Sequence, residues 1–168
     1  MQVQTKKTLI SLLACLPFAV GYFLPIQPDK FTYMFVHANI FHLMANVVAL
    51  FLFLKSSGNK STFITFLIGG LCTSVVSYMI YGSSLVVGAS GFVFGVVGMY
   101  MAFRYRGIFN KELYKSFNFA SVVFAVIVGM FIPSLAGLLH LYAFAIGLLI
   151  GQLAIGADRF IRNLQQYM

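Results

Sequence analysis

The chain has 168 residues, of which 61% are hydrophobic and only 8% charged, with a mean hydropathy of +0.95. A water-soluble domain of this length needs a charged surface, and eleven Lys and Arg with three Asp and Glu do not supply one, so the composition points to an all-α integral membrane protein, a single domain over 1–168. The net charge of +8 would suit nucleic acid, but its placement argues against such a partner, and two cysteines inside apolar runs, Cys15 and Cys72, form neither a disulfide framework nor a zinc site.

The charged residues cut the chain into neutral tracts at 8–28, 31–54, 61–103 and 116–157. A spanning helix needs about 20 apolar residues, so the first two tracts hold one span each, at 8–26 and 39–54. The last two tracts hold two each, broken at "YGSS" (81–84) and "IPSLAG" (132–137), which gives spans at 62–80, 88–103, 116–132 and 138–157. The apolar run after Lys6-Lys7 exceeds a secretory h-region of about 7–15 residues and ends in no A-x-A-like site, so it reads as a retained first span. Six spans put both termini and the loops 55–60 and 104–115 on one side, together with ten of the eleven basic residues; Lys30 alone lies opposite. By the positive-inside rule that side, with both termini, is cytoplasmic, and the charge is an orientation signal with a weak attraction to anionic lipid heads.

Polar groups inside a membrane are costly and mark function. On the second span, "HANIFHLMAN" (37–46) puts His37 at or just before the helix start, then His42 and Asn46 four apart on one face. On the fourth, "GASGFVFGVVG" (88–98) sets Ser90 between small residues, with Gly91, Gly95 and Gly98 following. On the sixth, His140 is followed by Ala143, Gly147 and Gly151 at helical spacing. At about 1.5 Å per residue, His42 stands roughly 20 Å above Lys55 and Ser90 roughly 21 Å above Arg104, one common level; His140, roughly 27 Å above Asp158, joins it only if its helix tilts or protrudes. Matching small-residue stripes let two helices approach closely in lipid, so the fourth and sixth spans are expected to pack through them and bring Ser90 within reach of His140.

A serine hydroxyl becomes a nucleophile when a base takes its proton, and histidine is the usual base near neutral pH. The only acids, Asp29, Glu112 and Asp158, lie at or outside the membrane edges, so the expected arrangement is a Ser90–His140 dyad without a third member. His42, Asn46 and the Ser90 backbone N–H, at a helix start, stand at the right level to hold a developing oxyanion. His42 and Asn46 have no acid or thiol beside them for a metal, and no cofactor is expected.

With "HANIFHLMAN" (37–46), "GASG" (88–91) and "HLYAFAIG" (140–147) in order on the second, fourth and sixth spans, the chain resembles the rhomboid family of intramembrane serine proteases in its minimal six-helix form. The resemblance extends over about the whole chain in topology and over these three stretches in motif. It implies Ser90 as nucleophile, His140 as base, His42 with Asn46 in the oxyanion hole, and His37 as a structural histidine near the first external loop. Gly88, Gly91, Phe94 and Gly147 support the site, Phe94 by stacking under the imidazole where tyrosine is commoner. The sixth-span motif carries Leu139 and Ala143 where smaller residues are usual, and the first external loop lacks the usual Trp-Arg pair. The resemblance further implies an endopeptidase whose substrates are transmembrane segments, a fifth span acting as a movable wall, and a multi-pass place in a prokaryotic inner membrane; it sets no oligomeric state. Two related readings are an inactive binder of membrane segments, against which the presence of both Ser90 and His140 speaks, and a protease specialised for C-terminal sorting tails. A transporter would show inverted repeats, and the chain has none.

Overall fold

A computed structural model of the chain describes residues 2–81, 86–131 and 136–166. The breaks expected at "YGSS" and "IPSLAG" fall mostly outside them. Among the described residues the structure is all helical: α1 (Gln2–Tyr22), a short 3-10 helix (Tyr33–Phe35), α2 (Ile40–Ser56), α3 (Lys60–Tyr81), α4 (Ser90–Arg104), α5 (Lys111–Lys115), α6 (Phe117–Phe131) and α7 (Gly137–Gln166). Two of these, α3 and α7, are long and apolar enough to cross a membrane, while α2 and α4 are shorter apolar helices.

The helix ends follow local chemistry. The first span was expected to run to 26, but α1 stops at Tyr22 because Pro25 has no N–H to offer the Gly21 carbonyl; that oxygen takes the Leu24 N–H at 3.2 Å instead. In the turn that follows, Asp29 Oδ1 accepts the Thr32 and Phe31 N–H groups, each at 2.7 Å, and the Thr32 hydroxyl at 2.9 Å. Those bonds hold the Asp29 carboxyl below its usual range. Asparagine side chains cap three helix starts: Asn39 Oδ1 accepts from His42 N–H at 2.9 Å, Asn59 from Thr62 at 2.8 Å and Asn110 from Glu112 at 3.0 Å. Each such cap stabilises its helix by about 1 kcal/mol. The short α5 lies inside the expected 104–115 loop, and α7 continues past the expected end at 157, carrying the exposed i,i+4 pair of Asp158 with Arg162.

Helix α4 sits at the centre, packed on α7, α3 and α2, and α7 also meets α3 and α6; α1 rests on α2 and the 3-10 helix. The α4–α7 seam is close. A methyl group at Gly147 would run into the Gly95 carbonyl, one at Gly98 into the Phe144 carbonyl, and one at Gly151 would sit 2.7 Å from Ala102 Cβ. The single stripe expected on α4 is divided, however. Gly98 opens toward α7, whereas Gly95 opens toward Thr73 of α3 and Gly91 toward the Tyr33 hydroxyl and Leu139. Because α4 is surrounded, its small residues serve three neighbours rather than one.

Candidate active site

Ser90 is the first residue of α4, where the backbone N–H has no acceptor within the helix. Its Oγ lies 2.7 Å from His140 Nε2, on the first turn of α7. One turn further along α4, on the Ser90 face, the Phe94 ring lies parallel to the imidazole, with 4.3 Å between centroids and 5° between planes. For Nε2 to accept the serine proton, Nδ1 must carry the ring hydrogen, an assignment from the hydrogen-bond pattern. Ser90 is buried and His140 half-buried, so the pair opens to the exterior on the histidine side.

The segment before Ser90 is fixed from two directions. Gly88 has φ +114°, and a Cβ there would stand 2.5 Å from His42 Cε1, so both conformation and space require glycine. Its N–H donates to the Tyr33 carbonyl at 2.9 Å. His37, itself buried, accepts the Ala89 N–H on Nε2 at 3.3 Å and meets the His42 ring edge-on at 5.3 Å. His37 therefore also reaches the backbone next to Ser90, because the 3-10 helix carries the chain beneath residues 86–89. Asn46 is buried, and its Nδ2 donates to the His42 carbonyl at 3.1 Å, which leaves one amide N–H in hand.

The sequence reading did not find Tyr33. It is fully buried, its hydroxyl lies 2.7 Å from Ser74 Oγ and 2.9 Å from the Ser74 carbonyl, and its ring stacks on Tyr78 at 4.5 Å. Tyr33 thus ties α3 to the turn before Ser90. The one signal was the spacing of Ser74 and Ser77, small polar residues one turn apart on a membrane-grade helix. The three carboxylates stay at the exterior: Asp29 in its turn, Glu112 with Lys115 at 3.3 Å, and Asp158 with Arg162.

A serine and a histidine in hydrogen-bond contact, on an aromatic support and beside further donors, match the requirements of acyl transfer. Comparison with known proteins leads to the same family. The Rhomboid domain matches residues 29–157. RHOMBOID-like protein 7 of Arabidopsis thaliana is 27% identical over 138 residues, 77% of this chain and 43% of that protein. Rhomboid-type serine protease 2 of Eremothecium gossypii is 30% identical over 131 residues, 71% of this chain and 50% of that protein. The chain thus spans about half the length of the curated relatives it matches. No solved structure gives a significant match. With the domain matching well over half its length, the chain belongs to the rhomboid family.

Proposed function

We propose that this protein is an intramembrane serine endopeptidase that cleaves transmembrane segments with a Ser90–His140 dyad. The observation that carries the reading is the 2.7 Å contact between Ser90 Oγ and His140 Nε2 over the Phe94 ring. In acylation Ser90 Oγ attacks the scissile carbonyl carbon while its proton passes to His140 Nε2. The carbonyl oxygen becomes an oxyanion, held by the Ser90 N–H, the free Asn46 amide hydrogen and the His42 ring. His140 then gives its proton to the leaving amine, and the C–N bond breaks. Water, deprotonated by the same nitrogen, hydrolyses the acyl-enzyme. No carboxylate assists; the flat Phe94 contact takes over the task of holding the imidazole in plane.

The exterior supports a bilayer setting. Phe41, Leu52, Phe124 and Leu153 are 78%, 56%, 70% and 72% exposed, a surface suited to lipid and not to water. In this reading α1, α2, α3, α4, α6 and α7 are six spans of one domain with both termini cytoplasmic. Ser90, His140 and His42 then stand near the outer ends of their helices, and α6 is the wall through which a substrate helix arrives.

A fluorophosphonate probe on the detergent-purified protein tests the chemistry. Covalent labelling of the wild type that disappears in Ser90→Ala is expected. A wild type that binds transmembrane peptides but takes no label at Ser90 would make it an inactive binder.

A further inference from the structure

At the end of the bundle opposite the Ser90–His140 pair, a cleft of about 440 Å³ lies between α1, the 57–59 loop and the start of α3. Helix α1 is held by α2 and by the 3-10 helix, with no comparable packing on α3. The cleft walls are apolar, formed mainly by Ile10, Phe63 and Ile64. Its rim carries Lys6, Lys7 and Lys60 and no acid. The Lys7 ammonium donates to the Ser57 carbonyl, which fixes the 57–59 loop at the mouth. Among the described residues, the Lys6 and Lys60 ammonium groups have no hydrogen-bond or ion-pair partner, and both side chains are exposed.

Three cations alone would be an orientation signal, and an apolar groove alone would accept any acyl chain. The two together fit one kind of molecule. A free phosphate has no use for walls of isoleucine and phenylalanine. A zwitterionic lipid would bring its own cation up to three ammonium groups. A phospholipid with net negative charge places its phosphate at the lysines and one acyl chain in the cleft, and basic recesses between spans are suited to such headgroups. We propose that the α1–α3 cleft is a binding site for an anionic phospholipid, which fills the gap and fastens α1 to α3. The proposal rests on the six-span reading only for the leaflet, the cytoplasmic one, that supplies the lipid.

Native mass spectrometry of the full chain in detergent, with phosphatidylglycerol or phosphatidylcholine of identical acyl chains, tests it. Wild type is expected to retain phosphatidylglycerol at least about tenfold better, since each lysine near an anionic headgroup contributes a several-fold gain. Lys6→Gln/Lys60→Gln should lose that preference, and so should Ile10→Trp, which fills the cleft and leaves every charge in place. Lys111→Gln/Lys115→Gln removes the same charge from the same face and should keep it. An undiminished preference in Lys6→Gln/Lys60→Gln overturns the site. Equal loss in the Lys111/Lys115 variant overturns it in favour of a diffuse field, and displacement of the lipid by millimolar inorganic phosphate overturns it in favour of a free anion. Fluorophosphonate labelling of Ser90 on the same samples reads the protease separately, so either proposal fails without the other.

Discussion

Helices α4 and α6 are each fifteen residues long and both apolar, yet eleven residues of α4 are buried, whereas Val126 is the one buried position among the described residues of α6. The difference lies in how closely neighbouring helices approach. Gly98 of α4 and Gly147 and Gly151 of α7 let those two backbones meet, while Phe124 and Phe131 of α6 stand 70% and 82% exposed. When the surroundings are as apolar as the helix, hydrophobicity does not choose which helix goes inside, and close van der Waals packing does. The seam that holds Ser90 against His140 is therefore a close backbone-to-backbone contact. The helix beside it is fastened chiefly by α7 and α5, the sparse packing that a movable element requires.

That contrast is open to attack at several strengths. The largest effect is expected at the dyad. Ser90→Ala and His140→Ala should each lower cleavage of a transmembrane reporter by on the order of 10⁴-fold or more, and the double variant by no more than either, because the two act as a unit. Substantial cleavage by Ser90→Ala would remove the mechanism.

Next comes Asn46→Ala, expected to lower turnover by roughly 10²–10³-fold at unchanged substrate affinity, as the loss of one oxyanion donor does. Its amide bonds only a carbonyl of its own helix, so the melting midpoint should hold. His37→Ala should behave oppositely. It leaves the buried Ala89 N–H without an acceptor, a cost of about 1–3 kcal/mol, and should lower the midpoint with activity falling in step with the folded fraction. An unstable Asn46 variant beside a stable, inactive His37 variant would reverse the two assignments.

Gly147→Leu is smaller in chemistry and sharper in location. Overpacking costs about 1–3 kcal/mol, and since the new side chain meets the Gly95 backbone it should part the dyad and slow turnover at least about tenfold. The smallest effect is expected on α6. Phe124→Ala should leave turnover within about twofold of wild type or raise it, because a looser wall admits substrate no more slowly. Cross-linking α6 to α2 should block membrane substrates while a small soluble probe still labels Ser90. Full cleavage of a membrane substrate after confirmed cross-linking would rule out α6 as the entrance.

Much of this was legible in the sequence because lipid simplifies the code. Charge placement marked four long neutral tracts, and matched depth brought Ser90 and His42 together, with His140 added by the small residues that follow it, before any packing was known. The depth estimate left His140 high on its helix, and in the structure it lies on the first turn of α7, 2.7 Å from Ser90 Oγ. What stayed hidden depends on contacts between distant segments. Nothing near Tyr33 announces that it bonds Ser74, forty-one residues away, and His37 lies fifty-two residues from the Ala89 N–H it accepts. The division of the α4 glycines among three neighbours was equally unreadable, since a stripe of small residues states that something approaches but not which helix. The α1 end, by contrast, was readable from Pro25 and was placed four residues too far along.

One side-by-side measurement tests the central claim, that the α4–α7 seam assembles a working serine nucleophile and α6 does not. The rate of fluorophosphonate labelling is read on wild type, Ser90→Ala, Gly147→Leu and Phe124→Ala, each confirmed folded by its melting profile. The account predicts labelling of wild type and Phe124→Ala at comparable rates, at least about tenfold slower labelling of Gly147→Leu, and none of Ser90→Ala. Labelling of Ser90→Ala at the wild-type rate, or of Gly147→Leu as fast as Phe124→Ala, would contradict it.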